Sequence, residues 1–196
     1  RAGYYGSAEL SANSQGGGNV GVNVNFNSSK VDAFAGVGFR MRRHKGGSIM
    51  NRDFEDGTYT NSVSESPSHG NGLFFRLGAT YHITDKDDVA ANGFAMFGHN
   101  RGHSTTDYTS NVPGNWLTNL DKSRNRGDHR GAHAEVSYTH KWRDNHLLDI
   151  TGSYNNWSGP NWRSYLQDIK YADREDLIYQ EQNMDMGVNS WEAKVD

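Results

Sequence analysis

The chain has 196 residues, 34% of them hydrophobic and 22% charged, with a formal net charge of −3. The absence of cysteine excludes disulfide frameworks, Cys-ligated zinc and thiol catalysis. With 20 Lys+Arg against 23 Asp+Glu there is no basic excess of the kind a nucleic-acid partner requires.

Gly is abundant at 23 residues, aromatics make up 12%, and helix-spaced Leu/Glu/Lys/Ala stretches are almost absent, which is the composition of a β protein with many turns. No run of about 18 apolar residues is present, so no transmembrane helix is expected. Arg1-Ala2-Gly3-Tyr4 opens without a signal peptide, as a mature secreted form or an excised piece would.

Period-2 runs recur along the chain. Val20, Val22, Val24 and Phe26 alternate with Gly21, Asn23 and Asn25. Next, Val31, Ala33, Ala35, Val37, Phe39 and Met41 oppose Asp32, Gly36, Gly38, Arg40 and Arg42, with Phe34 out of step. Leu73, Phe75, Leu77, Ala79, Tyr81 and Ile83 oppose Phe74, Arg76, Gly78, Thr80 and His82. Ala132, Ala134, Val136, Tyr138 and Trp142 oppose His133, Glu135, Ser137, Thr139 and Lys141, and Leu148, Ile150 and Tyr154 oppose Asp149, Thr151 and Ser153. Each run reads as a strand with one apolar and one polar face. Eight strands are expected, roughly 4–13, 19–27, 31–43, 72–83, 88–100, 131–142, 146–156 and 185–196. They form an all-β, antiparallel up-and-down meander in a single unit spanning 1–196. A run of about ten residues suits a tilted membrane-crossing strand, which needs about 9–11.

Short polar turns are expected at 27–30, 84–87 and 143–145, about 58 residues apart. Long polar excursions lie between them, at roughly 44–70, 101–131 and 157–183. Tight turns at one end and long loops at the other are the asymmetry of outer-membrane barrels. Glu55-Asp56-Gly57-Thr58 reads as a hairpin turn in which Asp-Gly supplies the positive φ values. The hairpins should continue past the membrane as two-stranded ribbons. Phe26, Tyr81 and Trp142 lie near the short turns, where an aromatic girdle would sit. The last run, Trp191, Ala193 and Val195, stops in mid-alternation, so a piece of a larger barrel is expected.

Arg76-Leu77-Gly78-Ala79-Thr80-Tyr81-His82-Ile83-Thr84-Asp85-Lys86 resembles a strand and periplasmic turn of outer-membrane β-barrel proteins related to TonB-dependent receptors of the Bacteroidetes type. So do Glu135-Val136-Ser137-Tyr138-Thr139-His140-Lys141-Trp142 and the 147–154 and 191–196 segments. The resemblance implies a segment of an uptake receptor for a nutrient or metal chelate in the bacterial outer membrane. It implies a larger parent with a plug domain, no catalytic residues and no cofactor. The implied partners are outer-membrane lipid and lipopolysaccharide, the rest of the barrel and plug, TonB and a surface lipoprotein.

Three constellations are candidates for binding. His99 and His103, with His129 and His133, sit at the loop end of one expected hairpin and could meet there as metal ligands. An i,i+4 pair on a strand spans about 13 Å, however, so solvated histidines are the favoured reading. Arg40, Arg42 and Arg43, with Arg124, Arg126 and Arg130, could form a rim for lipopolysaccharide phosphates or an anionic ligand. Trp116, Trp157 and Trp162 would serve a different class of function, a soluble or surface-exposed β protein that binds carbohydrate. A complete eight-stranded barrel is a further alternative. Gly-rich 15–19 lacks the Lys-Ser/Thr of a phosphate loop and reads as a turn.

Overall fold

The computed structural model describes residues 2–143 and 146–196. It is all-β, with no helix among these residues. Ten strands form one antiparallel sheet: β1 (Gly3–Ala12), β2 (Gly18–Asn27), β3 (Val31–His44), β4 (Gly47–Asp53), β5 (Tyr59–Glu65), β6 (Ser68–His82), β7 (Asp87–Ser110), β8 (Thr118–Arg143), β9 (His146–Lys170) and β10 (Glu175–Val195). The main path runs in chain order, β1-β2-β3-β6-β7-β8-β9-β10. The expected meander is therefore present, and every neighbour pair on this path is antiparallel.

Two strands lie off the path and were not among the eight expected. β4 and β5 form a hairpin inside the first polar excursion, and β5 pairs with the far half of β7, Glu65 opposite Thr105 and Thr60 opposite Ser110. The near half of β7, from Asp88 to Gly102, pairs with β6. The hairpin thus takes over from β6 along a strand too long for one partner. The other two excursions are the far ends of β7–β8 and β9–β10, paired as far as Thr109–Thr118 and Lys170–Glu175. They are the expected ribbons. Along the β7–β8 ribbon both faces are polar, so no alternation marks it in sequence, whereas the β9–β10 ribbon keeps apolar residues such as Leu166, Ile169, Leu177 and Ile178.

The turns follow from local chemistry. Phe54 N–H donates to Thr58 O, Gly57 N–H donates to Phe54 O, and Gly57 has φ 80°. Among the described residues no non-glycine has positive φ, so Gly57 alone supplies it and Asp56 does not. Asp56 instead accepts from the Thr58 N–H at 2.9 Å and the Thr58 hydroxyl at 2.6 Å. Val112-Pro113-Gly114-Asn115 closes β7–β8 with Asn115 N–H donating to Val112 O and Gly114 at φ 77°, the type II pattern that Pro-Gly favours. At the first short turn the Ser28 hydroxyl takes the Val31 N–H at 2.9 Å. At the second, the Thr84 hydroxyl accepts from Lys86 N–H at 3.1 Å and donates to Asp87 at 2.5 Å. Asp144 and Asn145, in the third expected short turn, lie outside the described residues. Phe26 stands opposite Ala33, and Trp142 falls where the ladder shifts register, with Arg143 opposite His146.

The sheet encloses no apolar core. No hydrophobic residue is buried among those described. On β2, Val20, Val22 and Val24 are exposed, whereas Gly21, Asn23 and Asn25 between them are half-buried. This inverts the soluble pattern. Leu77 is 64% exposed and Val136 57%, while Gly78 is buried and Ser137 half-buried. Of the face formed by Val22, Val24, Val37, Phe39, Phe75, Leu77, Val136, Tyr138, Leu148 and Ile150, only Tyr138 and Leu148 are half-buried and the rest are exposed. Closing the sheet would require the first strand to pair with the last. Among the described residues β1 pairs with β2 and β10 with β9, and the two do not meet. The single chain leaves the apolar face uncovered.

Replacing Gly57 by Val puts a β-branched side chain at positive φ and should destabilise the β4–β5 hairpin by about 1–3 kcal/mol. Hydrogen exchange should quicken in residues 47–65 and stay unchanged in β8 and β9. Equal acceleration in all strands would show that the hairpin is not a separable ribbon.

Candidate functional site

The antiparallel registers place side chains in rows that cross the sheet. One face carries Val37, Phe75, Ala95 and Ala132 in one row and Ala35, Leu77, Gly93 and Ala134 in the next toward the short turns. Tyr81, Val89, Tyr138 and Ile150 form a row near the short turns, with Asp87, His140 and Leu148 in the next row beyond it. The opposite face carries Asn23, Gly36, Arg76, Phe94, His133 and Asn155 in a single row.

That second face is bonded through its side chains. Arg76 Nη2 donates to Asn23 Oδ1 at 3.1 Å, and its guanidinium lies 5.6 Å from the Phe34 ring centroid. His133 Nδ1 lies 2.6 Å from Asn155 Oδ1, and its ring stacks on Phe94 at 5.5 Å. Asn92 Nδ2 donates to Glu135 at 3.4 Å. The out-of-step Phe34 belongs here: its ring covers Gly78, where an added Cβ would stand 2.6 Å from it. Trp157 covers Gly131 in the same way. Arg76, Glu135, Lys141 and Asp149 all fall on this face, as the alternation requires.

At its short-turn end this face holds a charged triplet that is absent from the sequence candidates. His82 bridges three strands, with Nδ1 2.6 Å from Asp88 Oδ1 and Nε2 3.0 Å from Asp32 Oδ2. Ionised carboxylates only accept, so this pair of bonds favours the imidazolium form, in which both ring nitrogens donate. The hydrogen bond to Asp32, and then that to Asp88, raises the His82 pKa above its ordinary value. The signal in the sequence was a His at the end of a polar alternation with Asp residues flanking the adjacent turns. Across the sheet, beside the same turns, Asp87 accepts from the Thr84 hydroxyl, His140 and the Tyr138 hydroxyl, which hold its carboxyl well below the usual range.

The histidine pairs do not meet. His99 and Asp128 are directly opposed and bonded on the apolar-band face, and His103 shares that face. His129 and His133 point to the other face, in step with Gly131 and Glu135. Among the described residues no cluster of three His, Asp or Glu side chains could hold a metal. The arginines divide likewise. Arg40 and Arg42 lie on the polar face, and Arg43 on the other. Arg43, His69, Arg101, Arg126 and Trp162 form one row beyond the Met41–Asn71–His99–Asp128 row, with Arg124 and Arg130 on the same face and Arg130 level with Phe39 and Phe97. The Arg126 guanidinium lies 5.3 Å from the Trp162 ring centroid, and Trp162 Nε1 donates to Glu181 at 2.5 Å. Trp157 is on the polar face and Trp116 sits in the β7–β8 turn, 5.8 Å from Tyr108, so the three tryptophans form no common platform.

No family model matches the chain, and no curated protein matches it. Solved structures similar to it include a major outer membrane protein from Thermus thermophilus, at 13% identity and TM-score 0.21 over 100% of this chain and 96% of that one. The Clostridium perfringens NetB toxin in its membrane-inserted form aligns at 7% identity and TM-score 0.21, over 100% and 95% of the two chains. The siderophore receptor PiuA from Acinetobacter baumannii aligns at 8% identity and TM-score 0.17, over 99% and 46%. At these scores the likeness carries no argument about this chain, and the functional reading rests on its own geometry.

The His82 triplet gives a pH dependence of known sign. A pKa raised by folding contributes stability that is fully present below the unfolded value near 6.5 and lost as pH rises through the folded value. The urea midpoint of detergent-folded protein should therefore fall from about pH 6 to about pH 9, and His82→Gln should remove that part of the slope. An identical slope in the variant would show that the triplet does not contribute.

Proposed function

We propose that the chain is a wall segment of an outer-membrane β-barrel that conducts solute, of the kind used by TonB-dependent receptors to take up a nutrient or metal chelate. One observation carries this reading: the apolar face is the exposed one and the polar face is the crowded, hydrogen-bonded one. In water such an apolar face would demand a partner. In a bilayer it is the face that lipid covers, while the polar face lines water.

The membrane reading accounts for three further features. Residues 31–39 of β3 alternate without a charge on the apolar side, close to the length a tilted strand needs to cross. Tyr81, Tyr138 and Trp142 gather at the short-turn end, as an interfacial girdle does. The Arg43–Arg101–Arg126 row lies past the apolar band and the Asn71–His99–Asp128 row, where lipid phosphates would sit, and this supports lipopolysaccharide as a partner. The opened edges of β1 and β10 would pair with further barrel strands. Plug, TonB and a surface lipoprotein follow from the same reading as partners, with no catalytic role for the chain. The carbohydrate reading loses its support, because Trp116, Trp157 and Trp162 do not share a face.

Leu77→Arg separates the membrane reading from any soluble one. At a 64% exposed position of a soluble protein this change is nearly neutral. Facing the middle of a bilayer, Arg costs about 2–4 kcal/mol. Folding titrations in phospholipid vesicles should show that loss for Leu77→Arg and much less for Ser137→Arg on the polar face. Equal, small effects, or a stable detergent-free monomer, would end the barrel reading.

A further inference from the structure

The polar face contains a bay whose floor is backbone. Gly21 and Gly38 are cross-strand partners on β2 and β3, and Phe74 of β6 stands on the other side of Gly38. Gly72 lies two residues from Phe74, opposite Arg40. These three glycines differ from Gly78 and Gly131, which neighbouring rings cover. A Cβ added at Gly21, Gly38 or Gly72 would meet only one backbone carbonyl oxygen, at 3.7, 3.8 and 3.9 Å. The space above them is open, and it belongs to a cavity of about 460 Å³.

Three arginines, Arg40, Arg42 and Arg76, line that cavity. Along the polar face of β3 the order is Gly36, Gly38, Arg40, Arg42, and Arg76 of β6 is opposite Gly36. Arg40 and Arg42 therefore stand on one side of the glycine floor and Arg76 on the other. Arg76 is oriented by Asn23 and Phe34. None of the three has a carboxylate within 4.0 Å among the described residues. Glu9 is the one acid on the wall, and its Oε1 accepts from Asn19 Nδ2 at 3.0 Å. Three cationic residues thus flank an open floor whose one acid is already engaged, and Phe74 and Met96 give the cavity an apolar side.

We propose that this bay binds a small solute that carries a carboxylate or similar anion beside a flat apolar portion. The proposal rests on the reading of the polar face as the wall of an aqueous pore. The anion is taken by Arg40 and Arg42, whose forked donors match a carboxylate. The flat portion lies over Gly21 and Gly38 against Phe74, where any larger residue on the floor would exclude it. Arg76 supplies positive potential from the opposite side.

The test uses 4-fluorobenzoate as probe, the neutral 4-fluorobenzamide as control, and fluorine NMR of the full chain folded in detergent micelles, with empty micelles subtracted. The benzoate should bind saturably, and the benzamide at least about tenfold more weakly. Arg40→Gln with Arg42→Gln should weaken benzoate binding by at least about tenfold. Gly38→Leu, which fills the floor without changing charge, should abolish it. Arg43→Gln, on the other face, should leave it unchanged. Equal binding of acid and amide, unchanged affinity in the double variant or in Gly38→Leu, or no saturable binding would overturn the proposal. If the chain folds in detergent and shows the Leu77→Arg loss yet fails these tests, the bay is wrong and the barrel stands. A stable monomer without detergent would remove the barrel reading itself.

Discussion

The antiparallel backbone ladder is the interaction on which the rest of the structure depends. With no apolar residue buried among those described, burial within the chain cannot hold the strands together. What remains is the pairing of N–H and C=O groups between neighbours, continued from Gly3 on β1 to Val195 on β10. In water that pairing is a weak net contribution, because the unfolded chain bonds to solvent instead. Where water is excluded, an unpaired backbone group costs several kcal/mol and the ladder becomes obligatory. The same sheet is therefore poorly held in one medium and strongly held in the other. The exposed valines of β2 and the crowded asparagines opposite them agree with the second medium.

Much of this was legible because period-2 alternation encodes both strand and face. The alternating parts of β2, β3, β6 and β9 lie where Val20–Phe26, Val31–Met41, Leu73–Tyr81 and Leu148–Tyr154 alternate. The far halves of β7 and β8 were less legible. Segments such as Arg101–Asp107 and Arg124–Asp128 are polar on both faces, so no alternation survives to mark them. Their pairing comes from the partner strand and from turns such as Val112–Asn115. β4 and β5 were hidden because adjacent Ile49 and Met50 and the single Val63 make no period-2 run, although Asp56-Gly57 marked the turn between them.

The binding candidates were legible as residue types and misleading as groups. Sequence proximity joined Arg40, Arg42 and Arg43, but a strand sends the third to the opposite face. The two histidine pairs looked convergent because the hairpin brings their segments together. Register decides otherwise: Gly98 is opposite His129, and His99 is opposite Asp128, so the pairs face apart by one residue. The His82 triplet shows the converse. Asp32 and His82 are 50 residues apart in the chain and adjacent in the sheet, so only the β3–β6 pairing reveals them.

Charge is distributed in a way that follows from the two faces. On the apolar side, cations begin at Arg130 and gather at the Arg43–Arg126 row, and nearer the middle of the band the residues are Ala, Val, Leu and Phe. On the polar side, charge appears at every depth, from Asp32 through Arg76 to Arg40. A soluble two-faced sheet would have no reason to restrict charge on its exposed side. A bilayer imposes that restriction, because a charge costs most at mid-depth and little near the headgroups. It imposes none on a face that water can reach. The depth dependence of charge on one face, and its absence on the other, thus agrees with the proposed bilayer setting, in which the ladder is obligatory.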